Sequence, residues 1–182
     1  MGALITPERQ SASGLKGLLA SRSDRMTPLE IDWVIPGKLA LGRAPQVADI
    51  EVLAKYEIRV ILSLCYPQEC RLSPQFQLIF RQGYVSLPDS CYRQPLSPQR
   101  ILQAALVIHR SVSRHLPIYV HCREGIERSP LICMTYLCLY RHVSLPQAMR
   151  WLKDVHPASA PTSTQLRVLR ECLLLAKGGA AV

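Results

Sequence analysis

The sequence predicts an α/β fold with a central, largely parallel sheet of four to five strands that is flanked by helices. Short apolar segments alternate along the chain with longer segments of helical periodicity, which is the pattern of strands joined by helical crossovers. Two of the apolar segments, 59–65 and 118–121, have the nearly continuous apolar character of strands that are buried on both faces. The chain has 182 residues, of which 48% are hydrophobic, and this suffices for one domain with a sizeable core.

The first half of the chain is expected to contribute most of the strands. A helical stretch near 46–56 interrupts them, and a turn-rich segment follows the buried strand of this half. The last strand piece leads into a loop that contains Asp89. The strands expected here are 33–35, 39–42, 59–65 and two short pieces, 78–80 and 84–87.

The second half is expected to be mostly helical. Ser97 and Pro98 begin a helix that runs to about His115, because Ser is a good N-cap and Pro suits the first turn. The strand 118–121 follows, and the next helix, 130–141, is apolar on almost all sides, as expected of a central buried helix. The remaining helices are expected at 144–155 and from Thr162, where Thr162 and Gln165 form a capping box.

The domain boundaries follow from the same periodicity. Residues 1–28 mix Ser, Gly, Arg and isolated leucines without a sustained pattern, which indicates a mobile tail. Residues 29–176 form the folded domain, and 177–182 are expected to be disordered. The apolar run in the central helix is far too short to span a membrane.

A cysteine and an arginine stand six positions apart around a glycine, directly after the strand 118–121. Backbone N–H groups of a strand, a short turn and a helix form a nest for a tetrahedral dianion, and Ser129 and Pro130 are expected at the start of that helix. The same amides favour a thiolate at Cys122. Arg128 is always charged and donates two parallel hydrogen bonds to phosphoryl oxygens. The segment therefore predicts a phosphate cradle with its own nucleophile.

The stretch from His121 to Ser129 resembles the signature loop of the cysteine-dependent protein tyrosine phosphatases, His-Cys-x5-Arg-Ser/Thr, and within them the small dual-specificity phosphatases. Upstream, 33–45 resembles the opening hairpin of that family, and 59–65 resembles its following strand. The resemblance covers roughly residues 31–176. It implies a protein tyrosine phosphatase-like fold and a phosphate-binding loop between the nucleophile and the arginine, made by Arg123, Glu124, Gly125, Ile126 and Glu127.

The resemblance also implies a proton donor for the leaving alcohol or phenol, carried on a loop upstream of the nucleophile. Asp89 follows Leu87 and Pro88 where that loop belongs. A competing interpretation is an Asp that caps the turn before Ser90, since Asp after Pro is common turn chemistry. Asp49, Asp154 and Asp32 are poorer candidates.

The implied reaction has two steps and needs neither a metal nor another cofactor. Cys122 attacks phosphorus while Asp89 protonates the leaving oxygen, and water then hydrolyses the cysteinyl phosphate with Asp89 as base. Ser129 helps the thiolate leave. His121 is expected to support the loop through backbone hydrogen bonds, and Gln165 is interpreted as a helix cap.

Glu127 departs from the commonest pattern of the family, in which Gly, Ser or Lys precedes the arginine. Its side chain and that of Glu124 are expected to project outward while the backbone amides face the phosphate. Two carboxylates would repel the extra phosphates of an inositol lipid, which makes that substrate class a weaker hypothesis.

The formal net charge of +9 suits an enzyme that attracts phosphorylated, acidic proteins. It would also suit nucleic acid, but the basic residues are scattered and aromatic residues, at 6%, are few. Phosphorylated proteins are therefore the expected partners, and nucleic acid is not. The chain is expected to have no membrane span, and the sequence leaves its oligomeric state open.

Seven cysteines, an odd number without a secretory signal, indicate a reducing compartment, and the cytoplasm is the expected location. Cys65 ends the strand expected beside the strand that precedes Cys122, so both would emerge at one edge of the sheet. A reversible disulfide between them would protect the nucleophile from overoxidation.

The function favoured by the sequence is a protein phosphatase that hydrolyses phosphotyrosine and phosphoserine or phosphothreonine. Nothing resembles the segment that walls the deep pocket of tyrosine-specific relatives. Three alternatives stay open: a phosphopeptide-binding module without turnover, a phosphatase for RNA 5'-phosphates or phosphoinositides, and another chemistry of the Cys-x5-Arg loop, such as sulfur transfer or arsenate reduction.

Overall fold

The computed structural model describes residues 29–92 and 94–178, with side chains to 176, so the expected tail 1–28 and residues 179–182 lie outside the described residues. Five strands form one sheet, with four helices on one side and two on the other. The strands are β1 (Asp32–Ile35), β2 (Leu39–Gly42), β3 (Val60–Ser63), β4 (Arg81–Tyr84) and β5 (Ile118–His121). The helices are α1 (Ile50–Lys55), α2 (Gln75–Ile79), α3 (Pro98–Ser113), α4 (Arg128–Tyr140), α5 (Leu145–Val155) and α6 (Ser163–Gly178), and a 3-10 turn, Val47–Asp49, precedes α1.

The sheet confirms the predicted α/β architecture. Its strand order is β1-β2-β5-β3-β4; β1 is antiparallel to β2, and every other neighbouring pair is parallel. The strands β3 and β5 therefore lie side by side, as expected from their apolar sequences. Because parallel strands share a direction, the carboxyl ends of β2, β3, β4 and β5 meet at one edge, where open α/β sheets place their ligands.

The alternation of side chains along the central strands divides the core in two. Leu62 and Val120 point to the side covered by α3, α4, α5 and α6. Their neighbours Ile61 and Tyr119 point to the other side, where they pack with Leu53 of α1 and with α2. Successive residues of a strand face opposite sides of a sheet, so a continuous apolar run is what two covered faces require.

Two predicted elements were wrong. Residues 78–80 are the end of α2 and the residue after it, because a short apolar run does not by itself distinguish a helix from a strand. The strand predicted at 84–87 corresponds to β4, which begins three residues earlier, at Arg81. Because β4 is an edge strand with partly exposed, polar side chains, its sequence lacks an apolar pattern. Beyond it, the backbone N–H of Val85 still donates to Ser63 O at 3.0 Å.

Helix boundaries also differ from the prediction at two places. The helix α4 begins at Arg128 with Glu127 as N-cap, so Ser129 and Pro130 lie inside its first turn and do not start it. The last helix, α6, continues to Gly178, two residues past the expected domain end. None of the helices in the described part of the chain is long and apolar enough to cross a membrane.

Candidate active site

The loop between β5 and α4, residues 122–127, is the centre of the site and is called the phosphate loop below. It leaves the sheet at the edge where the parallel strands end. The side chain of Cys122 is buried at its start, and Arg128 and Ser129, also buried, follow in the first turn of α4. The structure thus brings together the cysteine, the arginine and the serine that the sequence singled out.

Three carbonyl groups of the phosphate loop are held by residues that are distant in the sequence. Arg123 O accepts from Ala44 N at 3.0 Å, and Ile126 O accepts from Ala160 N at 2.8 Å. The third carbonyl, of Gly125, contacts the ring of His156 at 3.1 Å. Since C=O and N–H point in opposite directions in a trans peptide, the amides of these peptides point to the inner side of the loop. An inward ring of amides is a nest for an oxyanion.

Gly125 is required by this conformation for two reasons. Its φ of +81° lies in the left-handed region, which side chains with a Cβ rarely adopt. A Cβ at this position would also lie 2.6 Å from the backbone carbon of Gly42 and 2.8 Å from the backbone nitrogen of Arg43. The phosphate loop therefore rests directly on the chain that follows β2.

Cys122 and Ser129 face each other across the start of α4. The distance between Cys122 Sγ and Ser129 Oγ is 3.4 Å, which is a hydrogen-bonding distance for sulfur. Beside them, His121 is fully buried, and its Nδ1 contacts Cys122 O at 3.2 Å. Burial lowers the pKa of His121 to about 4, so this ring is neutral and donates from Nδ1 to the carbonyl.

Arg128 is 1% exposed and is held by two carboxylates. Its Nη1 donates to both carboxylate oxygens of Glu69, at 3.1 and 2.8 Å, and to Leu87 O at 3.1 Å. Its Nη2 donates to Asp89 Oδ2 at 2.8 Å. The buried Nε–H has no hydrogen-bond partner among the described residues. One edge of the guanidinium is thus fixed by protein, and the Nε donor on the other edge is available for a ligand oxygen.

Asp89 lies in the loop after β4 and bonds Nη2 of Arg128, whereas Glu69 bonds Nη1. Partial burial alone would raise the pKa of Asp89, but a hydrogen bond from Cys91 N to Oδ1 and the charges of Arg128 and Arg123 hold it below its usual value. The carboxyl group is therefore ionised over most of the pH range in this conformation. Asp89 Oδ1 also accepts a hydrogen bond from the backbone N–H of Cys91 at 3.2 Å, as in the competing interpretation of Asp89 as a turn cap.

Glu127 joins the phosphate loop to two other segments. Its Oε1 accepts from Ser90 Oγ at 2.9 Å, and its Oε2 accepts from Gln165 Nε2 at 3.2 Å. The backbone N–H of Thr162 donates to Gln165 Oε1 at 2.9 Å, and Gln165 N donates to Thr162 Oγ1 at 3.2 Å, which confirms the predicted capping box. Glu127 is therefore half-buried between the Asp89 loop and α6, where its carboxylate links the two.

The remaining residues of the phosphate loop and Cys65 lie at its margins. Arg123 and Glu124 form an exposed ion pair at 3.5 Å, and Ile126 is also exposed. Cys65 is buried; a hydrogen bond with Cys70, together with burial, raises the pKa of its thiol above the usual value. The same hydrogen bond lowers the pKa of Cys70 to about 7. Cys65 thus has Cys70 as its thiol partner in this conformation.

Sequence reasoning missed two residues that the structure places around the site: Glu69, which pairs with Arg128, and His156 behind the phosphate loop. Asp32, the partner of His156, was considered only as a poor candidate for the proton donor. Glu69 is nearly fully buried, and a buried acid demands a partner. The sequence held no local signal for it, because Glu69 and Arg128 are 59 positions apart. His156 and Asp32 are 124 positions apart.

Comparisons with known proteins identify the family of this chain. The family model of the dual specificity phosphatase catalytic domain matches residues 39–173. The dual specificity protein phosphatase Mpk3 of Drosophila melanogaster is 30% identical over 139 residues, which are 74% of this chain and 31% of that protein. The phosphatidylglycerophosphate phosphatase PTPMT1 of Arabidopsis thaliana is 23% identical over 133 residues, which are 73% of this chain and 40% of that protein. The chain thus spans less than half the length of either relative.

A solved structure of PTPMT1 has the same fold as this chain. The two superpose with a TM-score of 0.72, and the match covers 84% of this chain and 99% of the other. Their sequence identity is 18%, so the match speaks for the fold alone.

Proposed function

Because the chain belongs to the dual specificity phosphatase family, we propose that it is a cysteine-dependent protein phosphatase that hydrolyses phosphotyrosine and phosphoserine or phosphothreonine. The observation that carries the proposal is the arrangement of Cys122 and Arg128 around the phosphate loop. The cysteine begins a ring of inward amides, and the arginine follows with an unpartnered Nε donor. An oxyanion bound there would lie in line with the nucleophile.

In the first step, Cys122 Sγ attacks phosphorus, and the bond from phosphorus to the leaving oxygen breaks. Asp89 donates a proton to that oxygen, while Arg128 and the loop amides stabilise the equatorial oxygens. Asp89 needs a proton for this role, and in the ligand-free conformation its pairing with Arg128 opposes protonation. A bound phosphate dianion would compete for the guanidinium and add negative charge nearby, and both effects raise the proton affinity of the carboxyl group.

In the second step, water attacks the cysteinyl phosphate, and Asp89 accepts a proton from it. The bond between sulfur and phosphorus breaks, and Cys122 leaves as a thiolate. The hydroxyl group of Ser129, 3.4 Å from the sulfur, stabilises that thiolate by donating a hydrogen bond. His121 holds the carbonyl of Cys122 and so supports the loop. The reaction uses these side chains without a cofactor.

Glu69 completes the proposed machinery as the residue that fixes the guanidinium of Arg128. Its two contacts to Nη1 set the plane of the guanidinium and leave Nε for the substrate. A planar fork is useful for phosphate only when its orientation is fixed.

The proposal is tested by hydrolysis of p-nitrophenyl phosphate in the presence of a chelator, with the unmodified chain compared with Cys122→Ser. We expect turnover that survives chelation and is lost in the variant. A peptide panel then separates the substrate classes, since dual specificity predicts turnover of both phosphotyrosine and phosphothreonine peptides. Hydrolysis of the phosphotyrosine peptides alone would refute dual specificity, and equal activity in Cys122→Ser would refute the nucleophile.

A second candidate substrate is a phospholipid monoester, which is favoured by the relative named as a phosphatidylglycerophosphate phosphatase. The carboxylates of Glu124 and Glu127 near the loop disfavour a headgroup with several phosphates, but not one with a single terminal phosphate. Release of phosphate from phosphatidylglycerophosphate in mixed micelles, compared with phosphopeptides at equal concentration, distinguishes the two. A phosphopeptide-binding module without turnover is a third candidate, in which both substrates would bind without hydrolysis.

The proposed catalytic domain covers residues 29–176, and its proposed partners are phosphorylated proteins. We also propose a cytoplasmic location, which the odd number of cysteines and their free thiols support. The reversible disulfide between Cys65 and Cys122 is kept as a proposal; because the thiol of Cys65 is hydrogen-bonded to that of Cys70, its test includes Cys70→Ala, which removes this hydrogen bond.

A further inference from the structure

Three residues that are distant in the sequence hold carbonyl groups of the phosphate loop, and one of them does so through an ionisable side chain. His156 contacts the carbonyl of Gly125 through Nε2 at 3.1 Å, whereas the other two residues use backbone amides. On its opposite side, His156 Nδ1 is hydrogen-bonded to Asp32 Oδ2. We propose that His156 and Asp32 are positioning residues of the phosphate loop, and that His156 does so as an imidazolium ion whose charge strengthens phosphate binding. This inference rests on the proposed function of the loop.

The protonation state follows from the two partners. Gly125 O is a carbonyl oxygen and can only accept a hydrogen bond, so Nε2 must carry a proton. Asp32 is a carboxylate and also accepts, so Nδ1 must carry one as well. A ring with protons on both nitrogens is the imidazolium form. A neutral ring would place a lone pair against one of two oxygen acceptors.

The surroundings of His156 stabilise a cation. His156 is the C-cap of α5, directly after its last residue, and its backbone N–H donates to Leu152 O at 2.9 Å. The free carbonyl groups at the end of a helix favour a positive charge there. The imidazole side chain is 11% exposed, so solvent screens its pairing with Asp32 only weakly.

Other charged groups on the surrounding elements have different partners or lie in solvent. On the phosphate loop, Arg123 pairs with Glu124, and Glu127 bonds Ser90 and Gln165. On α5, Lys153 Nζ donates to Pro157 O, and Asp154 is exposed. On β1, Asp32 is the ion-pair partner. Asp32 therefore governs the charge of His156 more than any other of these groups.

The imidazolium acts on the phosphate through one peptide bond. The carbonyl of Gly125 and the N–H of Ile126 belong to the same peptide group, and they point in opposite directions. A cation that bonds the carbonyl polarises the group, which makes the N–H a stronger donor toward the inner side of the loop. A bound dianion and the imidazolium thus stabilise each other through the loop, and such linkage is reciprocal.

The test uses the full chain with Cys122→Ser, so that the nucleophilic thiol does not titrate, and sulfate as the probe, because its charge is constant near neutral pH. Into this parent we introduce Asp32→Asn or His156→Gln, with His142→Asn as the matched control, since His142 is exposed and lies beyond the end of α4 that is remote from the loop. The amide that Asp32→Asn introduces can donate to Nδ1 and so keep both hydrogen bonds of a neutral ring. This variant therefore removes the charge while it preserves the contacts.

Calorimetric titration with sulfate at about pH 8 and about pH 6, on either side of an ordinary imidazole's range, measures the effect. We expect Asp32→Asn to weaken sulfate binding about tenfold at the higher pH, because the ring that donates to Gly125 O becomes neutral and a neutral hydrogen bond is weaker than a charged one. At the lower pH this loss of sulfate affinity should be smaller, because the ring of His156 is protonated there even without the carboxylate of Asp32. His156→Gln should bind about tenfold more weakly at both pH values, and His142→Asn should match the parent.

The outcomes separate this inference from the proposed function. Unchanged sulfate binding in both Asp32→Asn and His156→Gln would overturn the positioning role while the phosphate loop stood. A parent chain that does not bind sulfate would overturn both. If His156→Gln fails to fold, as thermal unfolding would reveal, Asp32→Asn carries the test, because it changes neither size nor contacts.

A nitrogen-15 spectrum of the imidazole rings measures the protonation state directly. The signals of His156 are assigned by their absence in His156→Gln. At about pH 7 we expect both ring nitrogens to carry protons. One unprotonated nitrogen in the parent chain at that pH would contradict the imidazolium.

Discussion

The phosphate loop after β5 and the loops after β3 and β4 build opposite sides of one site. The phosphate loop contributes amides, Cys122 and the start of α4 from one contiguous stretch. The other side contributes two carboxylates, Glu69 and Asp89, which lie 59 and 39 positions from Arg128. The two sides meet at the guanidinium of Arg128. The proposed binding groups are thus local in sequence, whereas the proposed orienting carboxylate and proton donor follow separate strands of the sheet.

The difference explains what each side demands of the sequence. The phosphate loop needs a glycine at φ +81° and closely spaced residues, so its pattern is readable in a few positions. The carboxylate side needs only that β3 and β4 end at the same edge of the sheet as β5. The parallel register of these strands supplies that placement. Substitution of Arg128 should therefore impair both sides of the site. Substitution of Glu69 should affect only the orientation of the guanidinium, and substitution of Asp89 only proton transfer.

Substitutions at four positions, Arg128, Asp89, Glu69 and Glu127, test this comparison, and Arg128→Lys is expected to have the largest effect. Lysine keeps the charge but cannot donate in parallel to phosphoryl oxygens or bond both Glu69 and Asp89, so we expect kcat to fall about 10² to 10³-fold. Steady-state kinetics with p-nitrophenyl phosphate measures it, and Arg110→Lys on the exposed face of α3 is the control. A loss of less than about fivefold would mean that charge alone suffices.

Asp89→Asn should separate proton donation from binding. We expect kcat for phosphoserine peptides to fall about 10²-fold, with a much smaller loss for p-nitrophenyl phosphate, whose leaving group needs little protonation. A phosphate affinity that changes as much as kcat would contradict the role of a general acid.

The pH dependence of the unmodified chain tests the same residue. The pKa of Asp89 is lowered in the ligand-free chain, so the carboxyl group loses its proton at a lower pH than an ordinary Asp. Because the free enzyme must be protonated at Asp89, kcat/KM should decline as pH rises from the acidic range. The profile of Asp89→Asn should lack that decline. An identical decline in the variant would assign the titration to another group.

Glu69→Gln should show that the guanidinium needs a fixed orientation. The amide keeps the size of the side chain but removes the charge opposite a buried arginine, so we expect about a tenfold loss of kcat and about 1 to 3 kcal/mol less free energy of unfolding. Chemical denaturation and kinetics measure the two effects, with the exposed Glu51→Gln as control. Unchanged stability together with unchanged kcat would remove Glu69 from the account.

Glu127→Gln should give the smallest effect. Glutamine can still accept from Ser90, but its NH2 group would face the donor Gln165 Nε2, so one hydrogen bond is lost together with the charge, and we expect kcat to change by about two- to threefold. Glu127→Ala, which removes both contacts, should lower kcat further, because the Asp89 loop loses its attachment to the phosphate loop. Equal kcat in both variants would show that these contacts do not position Asp89.

The same contrast marks what the sequence could predict. The buried strands β3 and β5, the capped helix α3 and the loop from Cys122 to Arg128 are each encoded by neighbouring residues, and all of them were predicted. Glu69 and His156 were missed, because each acquires its partner only when distant segments meet. The strand β4 was misplaced, because it is an edge strand whose polar side chains carry no apolar pattern.

The most direct test of the central claim is to trap the intermediate. The unmodified chain is mixed with a phosphotyrosine peptide, quenched in acid during the first turnover, and digested for mass spectrometry. We predict one phosphoryl group on the peptide that contains Cys122, and none in Cys122→Ser. Turnover without a phosphorylated enzyme, or with the phosphoryl group on another residue, would contradict the account.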